Sequence, residues 1–205
     1  SARGDLEATR QHLAARGAGP DMLAPIEEAI GAIAEPKGGD AEATRALWAE
    51  LKRGRSLDTD AAIAAIAAGA DLSARDDIGL LPLQRAAVYG KLKLVQRFVK
   101  AGADIQCRDA SGFTPLQCAV NAGYAKVAKL LLRAGAHIES PGLFGQTALH
   151  RAIIEERSKL TRMLLQHGAS VRRRDDQGAT AFDLAAGTKL ERVLMENAGM
   201  AGAPA

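Results

Sequence analysis

Residues 112–135 read GFTPLQCAVNAGYAKVAKLLLRAG, and shifting the chain against itself by 33 residues lays this text over related text on both sides. The glycines alone set the period. Gly79, Gly112, Gly145 and Gly178 are evenly spaced, and so are Gly69, Gly102, Gly135 and Gly168. Other columns keep the same register: Leu83, Leu116, Leu149 and Phe182; Ala86, Ala119, Ala152 and Ala185; then the apolar runs Phe98-Val99, Leu130-Leu131-Leu132 and Met163-Leu164-Leu165. Two interleaved glycine series with one period mark a chain of repeated supersecondary units, each unable to bury its apolar side alone.

Each unit reads as a turn, a helix, a tight turn and a second helix. Asp76, Asp109 and Asp175, each three residues before a glycine, make the opening turns. Pro82 and Pro115 fix φ at the first position of helix one, where no hydrogen bond is lost. Gly90 and Gly123 end helix one, and Gly102, Gly135 and Gly168 end helix two, in the left-handed conformation that glycine adopts cheaply. The words Thr114-Pro115-Leu116-Gln117-Cys118-Ala119 and Thr147-Ala148-Leu149-His150-Arg151-Ala152, with the turns Gly69-Ala70-Asp71 and Gly102-Ala103-Asp104, resemble the ankyrin repeat. The resemblance is clear over 76–199 and weak over 41–75. It implies an all-α ankyrin-repeat solenoid, stacked helix-turn-helix units of 33 residues, with the usual role of a protein-binding scaffold.

The departures from that pattern carry expectations of their own. Leu81 stands where Thr belongs, Gln84 and Gln117 replace His, and Asp183 replaces His in the last unit. Glu156 replaces the glycine between helices, so that turn is expected to differ or to carry strain. The expected organisation is an N-terminal helical extension at 1–39, alternatively a decayed repeat, then an ankyrin-repeat domain at 40–200. Within it a degenerate first unit spans 41–75, repeats span 76–108, 109–141 and 142–174, and a C-terminal cap at 175–199 is shortened by about two residues between its helices. Residues 200–205 read as a flexible tail. In the extension, residues 5–16 and 22–35 read as amphipathic helices, the second with Met22, Leu23, Ile26, Ile30 and Ile33 on one side and Glu27, Glu28 and Glu35 on the other. Residues 36–40 are the expected linker. Asp40 is expected to cap the next helix, and Trp48 to pack at that end of the stack.

Bulk properties narrow the function. Charged residues are 25%, aromatics 3% and the formal net charge is +3, with acids and bases mostly interspersed in the text, so nucleic-acid binding ranks low. No apolar run is long enough to cross a membrane. No signal-type segment opens the chain, and Cys107 and Cys118 read as buried and reduced, which favours a cytoplasmic setting; a mature exported chain would carry the same features. His12, His137, His150 and His167 pair with no Cys or Ser in a nucleophilic spacing, and no metal-type cluster or phosphate-binding glycine motif occurs. No cofactor, metal or catalytic residue is expected, and the chain is read as a non-enzyme.

A surface remains. Carried over from the resemblance, the turn residues and the end of helix one face a concave groove: Ile78, Leu80, Val88 and Tyr89; Phe113 and Asn121; Leu143, Phe144 and Gln146; Ile154 and Glu155. Three of the seven aromatic residues fall in this set, and its apolar members suggest an interface strip. Arg108 and Arg174, recurring at the turns with Arg75, would add a basic rim. The expectation is an adaptor or inhibitor that binds another protein in this groove, in its narrowest form a bacterial immunity-type protein covering an enzyme's active site, and monomeric. The competing expectation is a structural protein that homodimerises through Ile26, Ile30 and Ile33.

Overall fold

The computed structural model describes residues 39–197. Among these residues all regular structure is helical: α1 (Ala41–Lys52) and α2 (Thr59–Ala67), α3 (Pro82–Val88) and α4 (Leu92–Lys100), α5 (Pro115–Asn121) and α6 (Ala125–Arg133), α7 (Ala148–Ile154) and α8 (Ser158–Gln166), α9 (Ala181–Ala185) and α10 (Lys189–Asn197). The odd-numbered helices contact one another in sequence order, and so do the even-numbered ones. The result is an all-α solenoid of helical hairpins in two rows. The expected helices at 5–16 and 22–35, most of the linker and the tail lie outside the described residues.

Buried columns explain the stacking. Ala86, Ala119, Ala152 and Ala185 are wholly buried, and a side chain of one carbon lets the odd-numbered row close up. Leu83, Leu116 and Leu149 sit beside them, while Phe98, Leu131 and Leu164 fill the layer of the even-numbered row. The first unit lacks the Thr-Pro-Leu word and uses other caps. The Asp40 carboxylate accepts the Ala43 N–H at 2.7 Å, and Asp58 accepts from Asp60 and Ala61, so α2 begins at Thr59, two residues earlier than its apolar pattern implies.

At α5, α7 and α9 the cap is reciprocal. The hydroxyls of Thr114, Thr147 and Thr180 accept N–H groups of Gln117, His150 and Asp183, whose side chains accept the threonine N–H groups in return. Leu81 has no acceptor, so α3 keeps only half of this arrangement, the Gln84 Oε1 taking the Leu81 N–H at 2.9 Å. The same column ties each unit to the next. Gln84 Nε2 donates to the Phe113 carbonyl at 2.7 Å, Gln117 Nε2 to those of Ser140 and Gln146, and His150 Nε2 lies 3.0 Å from that of Arg173. Gly142 makes room for one of these bonds, because a Cβ there would stand 2.7 Å from Gln117 Oε1.

Glu156 adopts φ 51° and bears the strain of a left-handed residue with a side chain. The turn itself does not differ. Glu156 donates to Ile153 at 2.9 Å and Arg157 to Ala152 at 2.8 Å, matching Gly90 and Lys91 two units earlier. The left-handed penalty of roughly 1–2 kcal/mol exceeds glycine's extra entropy loss of about 0.5–1 kcal/mol. Glu156→Gly is therefore expected to stabilise the fold by about 0.5–1 kcal/mol and to raise Tm by roughly 1–4 °C. Thermal circular dichroism measures this, and a lower Tm would contradict it.

Candidate protein-binding groove

The opening turns are built by aspartates. Asp76 Oδ1 accepts the N–H groups of Ile78 and Leu80, and Asp109 and Asp175 repeat the pattern. Both inner donors are thereby satisfied, and the tip residue is turned outward, so Ile78 is 63% exposed. The fourth unit has Gly142 in the aspartate's place and no carboxylate to organise its turn. Its tip folds differently, through a short 3-10 segment (Leu143–Gly145) in which Phe144 takes φ 57°. A bulky residue in that region is an outlier held by its surroundings. Here the Phe144 carbonyl accepts the Asp176 N–H at 3.0 Å, and the ring is 57% exposed.

The candidate residues divide by exposure. Ile78, Leu143, Phe144 and Ile154 are exposed, as are Asn121, Arg108 and Arg174. Leu80, Val88, Tyr89, Phe113, Gln146 and Glu155 are half-buried. Between the second and third units, Ile78, Leu80, Val88 and Phe113 surround a cavity of about 400 Å³, with Asp109, Ser111 and Asn121 supplying its polar groups. Cys118 lies at its floor. Burial, then the Asp109 and Cys107 charges, push that thiol far up, so the thiolate of a nucleophile is disfavoured. The Cys107 thiol is pushed up to about 12, again mainly by burial.

Two side chains absent from the sequence-derived set organise this face. Arg85 pairs with the buried Asp76 carboxylate at 2.6 Å and stands 6.0 Å from the Tyr89 ring. Arg151 lies 5.6 Å over the Phe113 ring, pairs with Glu155 at 3.1 Å, and donates to Asn121 Oδ1 and Gln146 Oε1. The sequence did hold a signal. Residues 85, 118 and 151 form one column reading Arg, Cys, Arg, directly after the inward Gln/Gln/His column. A guanidinium recurring inside an otherwise apolar helix needs a carboxylate or an aromatic ring within reach.

The arginines of the expected basic rim are exposed and also make bonds within the fold. Arg75 donates to the carbonyls of Gly79 and Arg108, Arg108 to those of Gly112 and Pro141, and Arg174 to that of Gly178. These guanidinium groups fasten turns to the following unit, so their donors are partly spent inside the fold. The reading of charges as interspersed fails in three dimensions. Helices α4, α6 and α8 carry Lys93, Arg97, Lys100, Lys126, Lys129, Arg133, Lys159 and Arg162 and not one acid, because the acids are confined to turns and to the other helices.

The known family descriptions now bear on the chain. Ankyrin repeats in three copies match residues 52–142, and ankyrin repeats in many copies match residues 149–189. The chain is an ankyrin-repeat protein. Among curated proteins none matches it significantly. Ankyrin repeats generally mediate protein–protein interaction. Among the described residues, no helix is long and apolar enough to cross a membrane, and no cluster of three His, Cys, Asp or Glu side chains could hold a metal ion.

Proposed function

We propose that this ankyrin-repeat protein is a non-catalytic adaptor or inhibitor that grips a protein partner along the turn row. The observation that carries this is the exposure of four large apolar side chains on the turns and the end of an odd-numbered helix, Ile78, Leu143, Phe144 and Ile154, the first of which lines an apolar cavity. Water-exposed aliphatic and aromatic groups gathered this way gain most when a partner covers them. The cavity between the second and third units suits one large apolar side chain of that partner. Phe144 supports the reading further, since its left-handed backbone holds a ring in water at an energetic cost.

Tyr89 makes a poorer test residue than its aromatic ring implies. It is half-buried, and its ring packs beside Gly54, 3.4 Å from where a Cβ there would stand, so its removal also disturbs the first unit. The test uses Ile78→Ala with Phe144→Ala. A partner captured from the native lysate is identified and purified, and its Kd is measured against both forms of the chain. Anchors of this kind are expected to cost about 2–4 kcal/mol together, a loss of roughly 30-fold or more. An unchanged Kd, with unchanged circular dichroism, would refute the groove. An immunity-type inhibitor differs from an adaptor in one readout: the partner's own activity falls on binding.

A further inference from the structure

The even-numbered row holds a second surface. Between α4 and α6, a cavity of about 500 Å³ is floored by the half-buried Leu92, Val99 and Leu130 and edged by Lys100, Lys126, Lys129 and Arg133. None of these cations makes an ion pair with a described residue. An apolar floor edged by four cations and the neutral Gln96, with no acid, fits an amphipathic helix whose polar side is acidic.

We propose that the occupant is residues 21–35 of this same chain. Its apolar stripe, Leu23, Ile26, Ile30 and Ile33, follows helical spacing and matches the floor, Glu27 flanks the stripe beside the edge, and Asp21, Glu28 and Glu35 keep the rest of the segment acidic. No Lys or Arg occurs between Arg16 and Lys37, so nothing in the segment opposes the cations.

The point where the described chain begins places the segment within reach. Asp40 donates its N–H to the Gly69 carbonyl at 2.8 Å, and Gly39 lies against Asp71. Gly69 occupies the same position in its unit as Gly102 and Gly135, which follow α4 and α6 and the cavity's Lys100 and Arg133. Three extended residues, 36–38, span up to about 11 Å. Neighbouring packed helices lie roughly 8–10 Å apart. A linker of that length is long enough for residue 35 to reach the end of α4, from which the proposed segment would run back along the α4–α6 furrow.

The test is lysine acylation of the full chain, read residue by residue by mass spectrometry. Lys126 and Lys129 in the wild type are expected to react about ten-fold more slowly than in Ile26→Asp/Ile30→Asp, which corresponds to the segment being docked roughly nine-tenths of the time. Lys159, on the same row but outside the cavity, is expected to react equally in both. Glu27→Lys/Glu28→Lys is expected to release the same two lysines by removing the charge match alone. Circular dichroism of each variant reports whether the repeats stay folded, and neither substitution lies within them. Equal rates at Lys126 and Lys129 in wild type and variants would overturn the proposal. So would protection lost on roughly hundred-fold dilution, since a second copy would then supply the segment. So would reactive wild-type lysines that only added duplex DNA shields, which would make this face a polyanion site.

Discussion

Truncating Phe98 to alanine is expected to cost about 3–5 kcal/mol, the range for emptying a wholly buried aromatic site. Phe98 is fully buried in α4, and the matching positions of the next two units hold Leu131 and Leu164, also fully buried. Those neighbours supply the control. Phe98→Leu restores the residue type the stack uses elsewhere and is expected to cost less than about 1.5 kcal/mol. Urea unfolding of the two variants measures the difference. Because each hairpin contacts only its neighbours, a weak second unit is also expected to lower the cooperativity of unfolding, visible as a reduced m value. Equal loss in both variants would mean that volume at this site is not what holds α4 in place.

Replacing His150 by alanine is expected to cost a similar amount, roughly 3–5 kcal/mol, for a different reason. The ring is wholly buried and bridges two units, Nδ1 accepting the Thr147 N–H at 3.1 Å and Nε2 donating to the Arg173 carbonyl at 3.0 Å. Alanine would leave the buried Thr147 N–H and the part-buried Arg173 carbonyl without this partner, together with a cavity. His150→Gln is expected to be close to neutral, since Gln117 fills the same column, accepts the Thr114 N–H and donates to the Ser140 carbonyl, which stands at the place of Arg173 one unit earlier. The histidine also adds a pH dependence. Burial lowers its pKa from the ordinary 6.5, outweighing the opposing effect of the Arg173 carbonyl. The unfolded chain therefore binds the proton more readily than the folded one. Stability is full above pH 6.5 and falls as the pH drops below it. A charged ring would also turn an N–H toward the Thr147 N–H. Wild type is expected to lose stability between pH 7 and pH 5, relative to His150→Gln, in matched urea titrations. Parallel curves would show that the ring titrates alike in the folded and unfolded chain.

Much of this fold stood in the text because repetition makes burial visible. The Ala86, Leu83 and Phe98 columns recur every unit, and a residue that must fit between identical neighbours has little freedom to vary. Asp40 as a cap and Glu156 as a left-handed residue followed from the same logic, each being a local requirement read at a fixed offset. What escaped the text were the partners of side chains that bond across units. Nothing in the sequence showed that Arg75 and Arg108 spend their guanidinium donors on carbonyls, or that Gly142 is small because the Gln117 amide occupies the space beside it. Tyr89 read as a free anchor only because the chain does not announce that Gly54 lies under its ring. Arg85 and Arg151 stand in a visible column, but the Asp76 carboxylate and the Phe113 ring they meet come from a turn and from another unit, which the column does not name. The gathering of cations on α4, α6 and α8 needed the two rows to be separated before it showed.

The guanidinium links have a consequence for how such a chain changes length. The Arg75 and Arg108 donors each reach a carbonyl 33 residues ahead, one full period. Copying the period 76–108 leaves both clasps with an acceptor and adds one more, whereas inserting a fraction of a period strands the clasp that spans it. Growth by whole-unit duplication is thus written into the fastening itself, and the array can lengthen without redesigning either end.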